Sequence, residues 1–174
     1  RMRPSLGTYI EITVTGLDRK RADRAIEEGF AAVDEVDRLL SSHRPDSELN
    51  EINAAAGDRA IAVSPWTYEC IAAGIEIGRQ SDGAFDITCR PMLDLWGFVR
   101  KQYRLPTAEE LQAVLSLVNH QNVMLLINNI TMMHWNGWGA PQLGQYRVGL
   151  ANPGMKLDVG GIGKGFAVDK VVEA

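Results

Sequence analysis

The N-terminal stretch alternates. Thr8-Tyr9-Ile10-Glu11-Ile12-Thr13-Val14-Thr15 sets β-branched and aromatic residues against polar ones and closes at Gly16, which predicts a strand. The period then changes from two to that of a helix. After Asp18, a residue able to cap, Ala22, Ile26, Phe30, Val33, Val36 and Leu40 recur at helical spacing while Arg, Glu and Asp fill the other face. A long amphipathic helix ending near Ser41-Ser42 is expected. Pro45, Asp46 and Ser47 break and restart the chain, with Asp46 or Ser47 available to cap Glu48-Leu49-Asn50-Glu51-Ile52-Asn53. Polar side chains cluster there without an evident packing need. Ala60-Ile61-Ala62-Val63 reads as a short strand. Ser64 followed by Pro65 is an N-cap with proline at the first helical position, and Ile71, Ile75 and Ile77 carry that helix to the turn at Ser81-Asp82-Gly83.

The second half is less regular. Ala84-Phe85-Asp86-Ile87-Thr88-Cys89 reads as an extended run with a carboxylate in its middle, followed by Pro91 and the apolar stretch Leu93-Asp94-Leu95-Trp96-Gly97-Phe98. Thr107-Ala108-Glu109-Glu110 is a capping box for a helix carrying Leu111, Val114, Leu115 and Val118. Residues 122–128 and 130–135 read as two strands joined at Asn128-Asn129, and residues 137–154, rich in Gly, Pro and polar side chains, as a long loop. Met155-Lys156-Leu157-Asp158-Val159 reads as a strand leading into Gly160-Gly161-Ile162-Gly163-Lys164-Gly165 and a helix opened by Phe166, Val168, Val171 and Val172. Helices separate the strands without a strict βαβ rhythm, so the pattern predicts an α+β fold rather than a doubly wound parallel sheet.

Composition narrows the partners. The 174 residues are 45% hydrophobic, enough to bury a core. With 18 basic against 22 acidic side chains the net charge is -4, and no dense Lys/Arg run exists, which argues against capture of nucleic acid or an anionic membrane. No apolar stretch approaches the roughly 20 residues that span a bilayer. Cys70 and Cys89 can form at most one disulfide and neither has metal-ligand spacing; His43, His120 and His134 are scattered. Trp96, Trp135 and Trp138 read as packing residues in so acidic a chain. The start at Arg1 and the uncapped helical pattern at Lys170-Val171-Val172-Glu173-Ala174 suggest a fragment or a processed chain.

Three places carry candidate chemistry. The glycine-rich turn lets a backbone approach a ligand, and the following helix start together with Lys164 would suit a phosphate or diphosphate. It is neither a P-loop, since Gly165 follows Lys164, nor a dinucleotide fingerprint, and it reads equally as a strand-to-helix turn with a solvated lysine. Asp158, just before the turn, suits a divalent cation, a ligand hydroxyl or a helix cap. Asp86 interrupts an apolar run, so its carboxylate must be solvated, paired or turned to a ligand, with Phe85 beside it able to face a flat ring.

Taken in order, five segments resemble the ApbE family of flavin transferases, which use FAD to attach FMN to a threonine of an acceptor protein. They are Leu6-Gly7-Thr8; Ser41-Ser42-His43-Arg44-Pro45-Asp46-Ser47-Glu48-Leu49 with Asn53; Gly83-Ala84-Phe85-Asp86-Ile87-Thr88; Leu95-Trp96-Gly97-Phe98; and Leu157-Asp158-Val159-Gly160-Gly161-Ile162-Gly163-Lys164-Gly165 with Asp169. The resemblance implies a T-fold-related α+β architecture of mixed or antiparallel sheets with packed helices, residues 1–174 forming the N-terminal portion of the transferase domain with its C-terminal part absent. It implies FAD contacts at Leu6 (usually Met), His43 (usually Tyr), the strand Ala84, Phe85 and Asp86, and Asp158 and Lys164, with a backbone oxygen of Gly161 on Mg²⁺. Replacing Asp86 by Ala is then expected to weaken FAD binding with little loss of stability. The partners implied are FAD and an acceptor flavoprotein, with a membrane reached only through a possible lipid anchor outside this chain. The location implied is periplasmic or at the outer face of the cytoplasmic membrane, the cytoplasm not being excluded. The alternative function is FAD binding or carriage without transfer.

Overall fold

The longest element forms where the apolar pattern is clearest. In the computed structural model, which describes residues 1–128, 130–131 and 146–174, helix α1 (Arg19–Leu40) begins at Asp18, whose carboxylate accepts the Arg21 N–H at 3.0 Å. Its inner face buries Ile26, Phe30, Val33, Val36, Leu39 and Leu40. Before it, β1 (Met2–Ser5) and β2 (Thr8–Glu11) form an antiparallel hairpin through Leu6 and Gly7. Both turn residues have positive φ, 51° and 70°, as a type I′ turn requires. The predicted strand is therefore shorter than its alternating pattern, and its partner is the unanticipated β1.

Helix α2 (Glu48–Ala54) starts at Ser47, whose hydroxyl accepts the Asn50 N–H at 3.2 Å; of the two predicted caps, serine serves. After β3 (Ile61–Ala62), helix α3 (Pro65–Gln80) starts at Ser64 with proline in its first turn, as expected. Helix α4 (Arg90–Leu95) takes up the apolar stretch after Pro91, and α5 (Ala108–Leu115) carries the predicted capping box, with Thr107 and Glu110 bonding each other's backbone at 2.9 and 3.3 Å. A 3-10 turn, His120–Asn122, leads into β4 (Val123–Ile127), which turns back into β5 (Ile130–Thr131). Strand β6 (Tyr146–Leu150) and helix α6 (Gly163–Glu173) complete the described elements. The main sheet is antiparallel throughout in the order β3-β6-β4-β5. Helix α6 packs along α1, and the main core joins α1, α2, α3, the sheet and the Met155–Val159 segment, with Leu49, Ile71, Ile87, Val148, Met155 and Leu157 fully buried; a smaller cluster gathers Ile12, Ile26 and Phe30.

Three sequence expectations change. Strand β6 lies inside the stretch expected to be a loop. Its buried Tyr146, Val148 and Leu150 alternate with Arg147 and Gly149, a five-residue signal hidden among glycines and prolines. The segments 84–89 and 155–159 are extended or turned but join no ladder. Their backbone groups are met instead by side chains, by local turn bonds such as the Ala84 N–H to Ser81 O at 3.0 Å, and by a cross-link between the two segments, the Asp158 N–H donating to Ile87 O at 2.7 Å. The remainder of the predicted second hairpin strand, His134 and Trp135 included, and the first part of the predicted loop with Trp138, lie outside the described residues.

Candidate functional site

The end of α1, the β1–β2 turn and the start of α6 enclose a cleft of about 290 Å³, lined by Leu6, Ser42, His43, Asp158, Gly160 and Lys164 among others. Four residues singled out in the sequence thus meet from three distant parts of the chain. Leu6 sits at the tip of the hairpin with φ 51°, a backbone conformation uncommon outside glycine that is held here by the turn. His43 lies on the exposed loop after α1. That loop is fastened by Asn50, whose amide nitrogen donates to the carbonyls of Ser42 at 3.2 Å and Arg44 at 2.8 Å.

Asp158 is fixed at every point. Asn53 clamps the preceding peptide, accepting the Leu157 N–H at 2.6 Å and donating to Leu157 O at 3.1 Å. The Asp158 carboxylate accepts the Gly160 N–H at 2.8 Å on one oxygen and the Arg90 guanidinium at 3.3 Å on the other. The polar cluster of residues 48–53 therefore has a use: Asn50 and Asn53 hold two walls of the cleft, while the Glu48 carboxylate accepts from the Ser64 N–H at 2.9 Å and hydroxyl at 3.0 Å, joining α2 to the start of α3.

Lys164 stands exposed in the first turn of α6, where the Gly163 N–H already donates to Val159 O at 2.7 Å and no side chain caps the helix start. Free N–H groups of a first turn together with a lysine favour an anion. Gly161 is packed against the Phe85 ring so closely that a Cβ there would lie 2.8 Å from Cε2, which only glycine avoids.

Ala84, Phe85 and Asp86 do not line the cleft. Phe85 backs the glycine turn from the core side, and Asp86 is turned inward. One Asp86 oxygen accepts the Thr88 N–H at 2.7 Å and hydroxyl at 2.6 Å, while the other accepts the His120 N–H at 2.9 Å and lies 3.1 Å from His120 Nδ1. Burial alone would raise its pKa, but the bonds from Thr88 and His120 outweigh that and hold the carboxyl below its ordinary value. The segment is a side-chain-stapled turn rather than a strand, and the expectation of little stability loss on removing Asp86 is corrected by these four interactions. Both cysteines are free thiols, and burial pushes Cys70 up to about 12, so it is no thiolate near neutral pH.

Beyond Asp158 lies a second cleft of about 500 Å³ between α4, the following loop and Lys156. Arg90 separates the two, bonded to Asp94 at 3.2 Å as well as to Asp158, and Lys156 closes the chain on Asp94 at 3.0 Å. Neither Arg90 nor the clamping role of Asn53 was evident in the sequence. The one available signal was the cluster of polar residues on an otherwise short, half-buried helix.

Among the described residues no three His, Cys, Asp or Glu side chains gather as a metal site would need. The Gly161 carbonyl alone does not make a site for Mg²⁺, which wants about six oxygen ligands, so the residues described do not by themselves fit that ion.

Residues 6–174 match the ApbE family. The chain is 28% identical over 167 residues to the FAD:protein FMN transferase of Escherichia coli K12, covering 95% of this chain and 44% of that protein. It is 30% identical over 149 residues to the enzyme of the same name from Treponema pallidum, covering 86% and 38% respectively. Among solved structures, the ApbE protein of Thermotoga maritima superposes with a TM-score of 0.77 at 25% identity, and the flavinyl transferase ApbE of Pseudomonas stutzeri in its apo form with 0.76 at 28%. Each comparison covers 99% of this chain and 50% of the other. The chain thus spans less than half the length of these two curated relatives.

Proposed function

Starting from the premise that the chain belongs to the ApbE family, we propose that its cleft holds FAD for transfer of FMN to a threonine of an acceptor flavoprotein. The observation that carries this reading is the convergence of Leu6, His43, Asp158 and Lys164 on one cleft beside a helix start without a side-chain cap. In this reading Leu6 and the His43 ring give the flat, largely apolar isoalloxazine a surface, while Lys164 and the first turn of α6 take the diphosphate. Ala84, exposed, and the main chain around it remain available to the ligand, the Asp86 carboxylate being in use internally.

The reaction is a phosphoryl-group displacement. The threonine oxygen attacks the phosphorus of the FMN half and forms the new phosphoester, the bond from that phosphorus to the bridging oxygen breaks, and AMP leaves with the bridging oxygen. The threonine proton goes to solvent or base. Positive charge and N–H donors fixed beside the diphosphate stabilise the charge that grows on the departing oxygen, a contribution that Lys164 and the helix start would make. The described residues do not by themselves hold magnesium, so Lys164 and the start of α6 are the groups of this chain that would act on the diphosphate. A periplasmic location or one at the outer face of the cytoplasmic membrane belongs to the same proposal.

Incubating the protein with FAD, Mg²⁺ and a threonine-bearing acceptor tests it. Acceptor mass increased by one FMN, with AMP released in equal amount, supports transfer. Saturable FAD binding without transfer supports a flavin carrier instead. Absence of FAD binding overturns both.

A further inference from the structure

Arg90 is nearly buried, with a side chain 12% exposed, and it lies at the boundary of the two clefts. Its guanidinium reaches Asp94 one turn along α4 and, 68 residues away in sequence, the Asp158 carboxylate at 3.3 Å. Asp94 is in turn held by Lys156 at 3.0 Å, so two cations and two carboxylates alternate along one chain that ends in the ligand cleft. Burial raises the Asp94 pKa, but Lys156 and Arg90 more than offset this and keep it lowered, consistent with a charged network.

We infer that Arg90 is a positioning residue for the ligand cleft: it fixes one oxygen of Asp158 and offsets its charge, so that a diphosphate-bearing ligand meets half of an ion pair rather than a free anion. This rests on the reading that the cleft takes FAD. Without Arg90, Asp158 keeps only the Gly160 N–H, its side chain gains freedom, and its negative charge faces the ligand's phosphates unopposed. The fork of an arginine can hold Asp94 and Asp158 at once; a lysine ammonium holds them less well but still supplies the charge.

A double-mutant cycle on the full chain tests the inference by FAD titration, with unfolding midpoints measured alongside. R90M is expected to raise the FAD Kd about tenfold, the size of one lost charge-assisted hydrogen bond, and R90K to recover most of that. In a D158N background, R90M is expected to change Kd less than about twofold, because the residue acts through Asp158. R90Q serves the same cycle if R90M does not fold. Wild type that binds FAD while R90M binds it equally well overturns the inference alone, as does an undiminished R90M effect in the D158N background. Wild type that does not bind FAD overturns the flavin reading and the inference with it.

Discussion

Asp86 and Asp158 lie on two segments joined by a backbone hydrogen bond, Asp158 N–H to Ile87 O at 2.7 Å, yet their carboxylates have opposite surroundings. Asp86, with a side chain 10% exposed, accepts from Thr88 and His120 and staples its turn to the 3-10 turn before β4. Asp158, 18% exposed, lines a cleft and takes its two protein contacts from the neighbouring Gly160 and from Arg90. Burial is similar; what differs is how much of each carboxylate the protein itself uses. An aspartate whose oxygens are filled by the groups it folds against stabilises structure. One held at its edges in a cleft keeps lone pairs for a ligand.

The contrast breaks most sharply at Asp86. Asp86→Ala leaves the fully buried Thr88 hydroxyl and two backbone N–H groups without their acceptor, and is expected to cost about 3 kcal/mol in denaturant unfolding. Asn53→Ala strands both backbone groups of buried Leu157, at about 2 kcal/mol, and should also loosen Asp158 and weaken FAD binding. Acidification sharpens the same point. Because the folded pKa of Asp86 is lowered, its contribution is present above the unfolded value near about 3.9 and is lost as pH falls through the folded value. The Asp86→Asn protein is therefore expected to be less stable at neutral pH, with a flatter fall in unfolding midpoint below about pH 4. Lys164→Ala lies at the other extreme: exposed, it should shift stability by no more than about 0.5 kcal/mol, while FAD affinity falls about fivefold for a lost contact to the diphosphate.

The helices were legible because their signals are local. Asp18, Ser47, Ser64 and Thr107 each cap as their spacing predicts, and the apolar stripe of α1 faces the core. Strand β6 was not legible, because its evidence is a partner: it is central only through pairing with β3 and β4. The two extended segments misled for a related reason. A β-like composition does not reveal that Asn53, some 104 residues away, takes the ladder's place at Leu157. At the site, the glycine turn and Lys164 stood out in sequence as candidates, and the structure places Gly160 and Lys164 along the cleft. The orientation of Asp86 did not, since a lone carboxylate in an apolar run is compatible with a ligand or with a buried staple until His120 is placed beside it.

The most direct measurement is FAD titration of the full chain carrying Asp158→Ala or Asp86→Asn, with binding referred to the folded fraction. Asp158→Ala is expected to raise Kd about tenfold while the unfolding midpoint stays close to wild type, and Asp86→Asn to lower the midpoint while Kd stays within about twofold. The reverse pattern, affinity lost at Asp86 with stability intact and affinity unchanged at Asp158, would contradict the assignment of the ligand cleft.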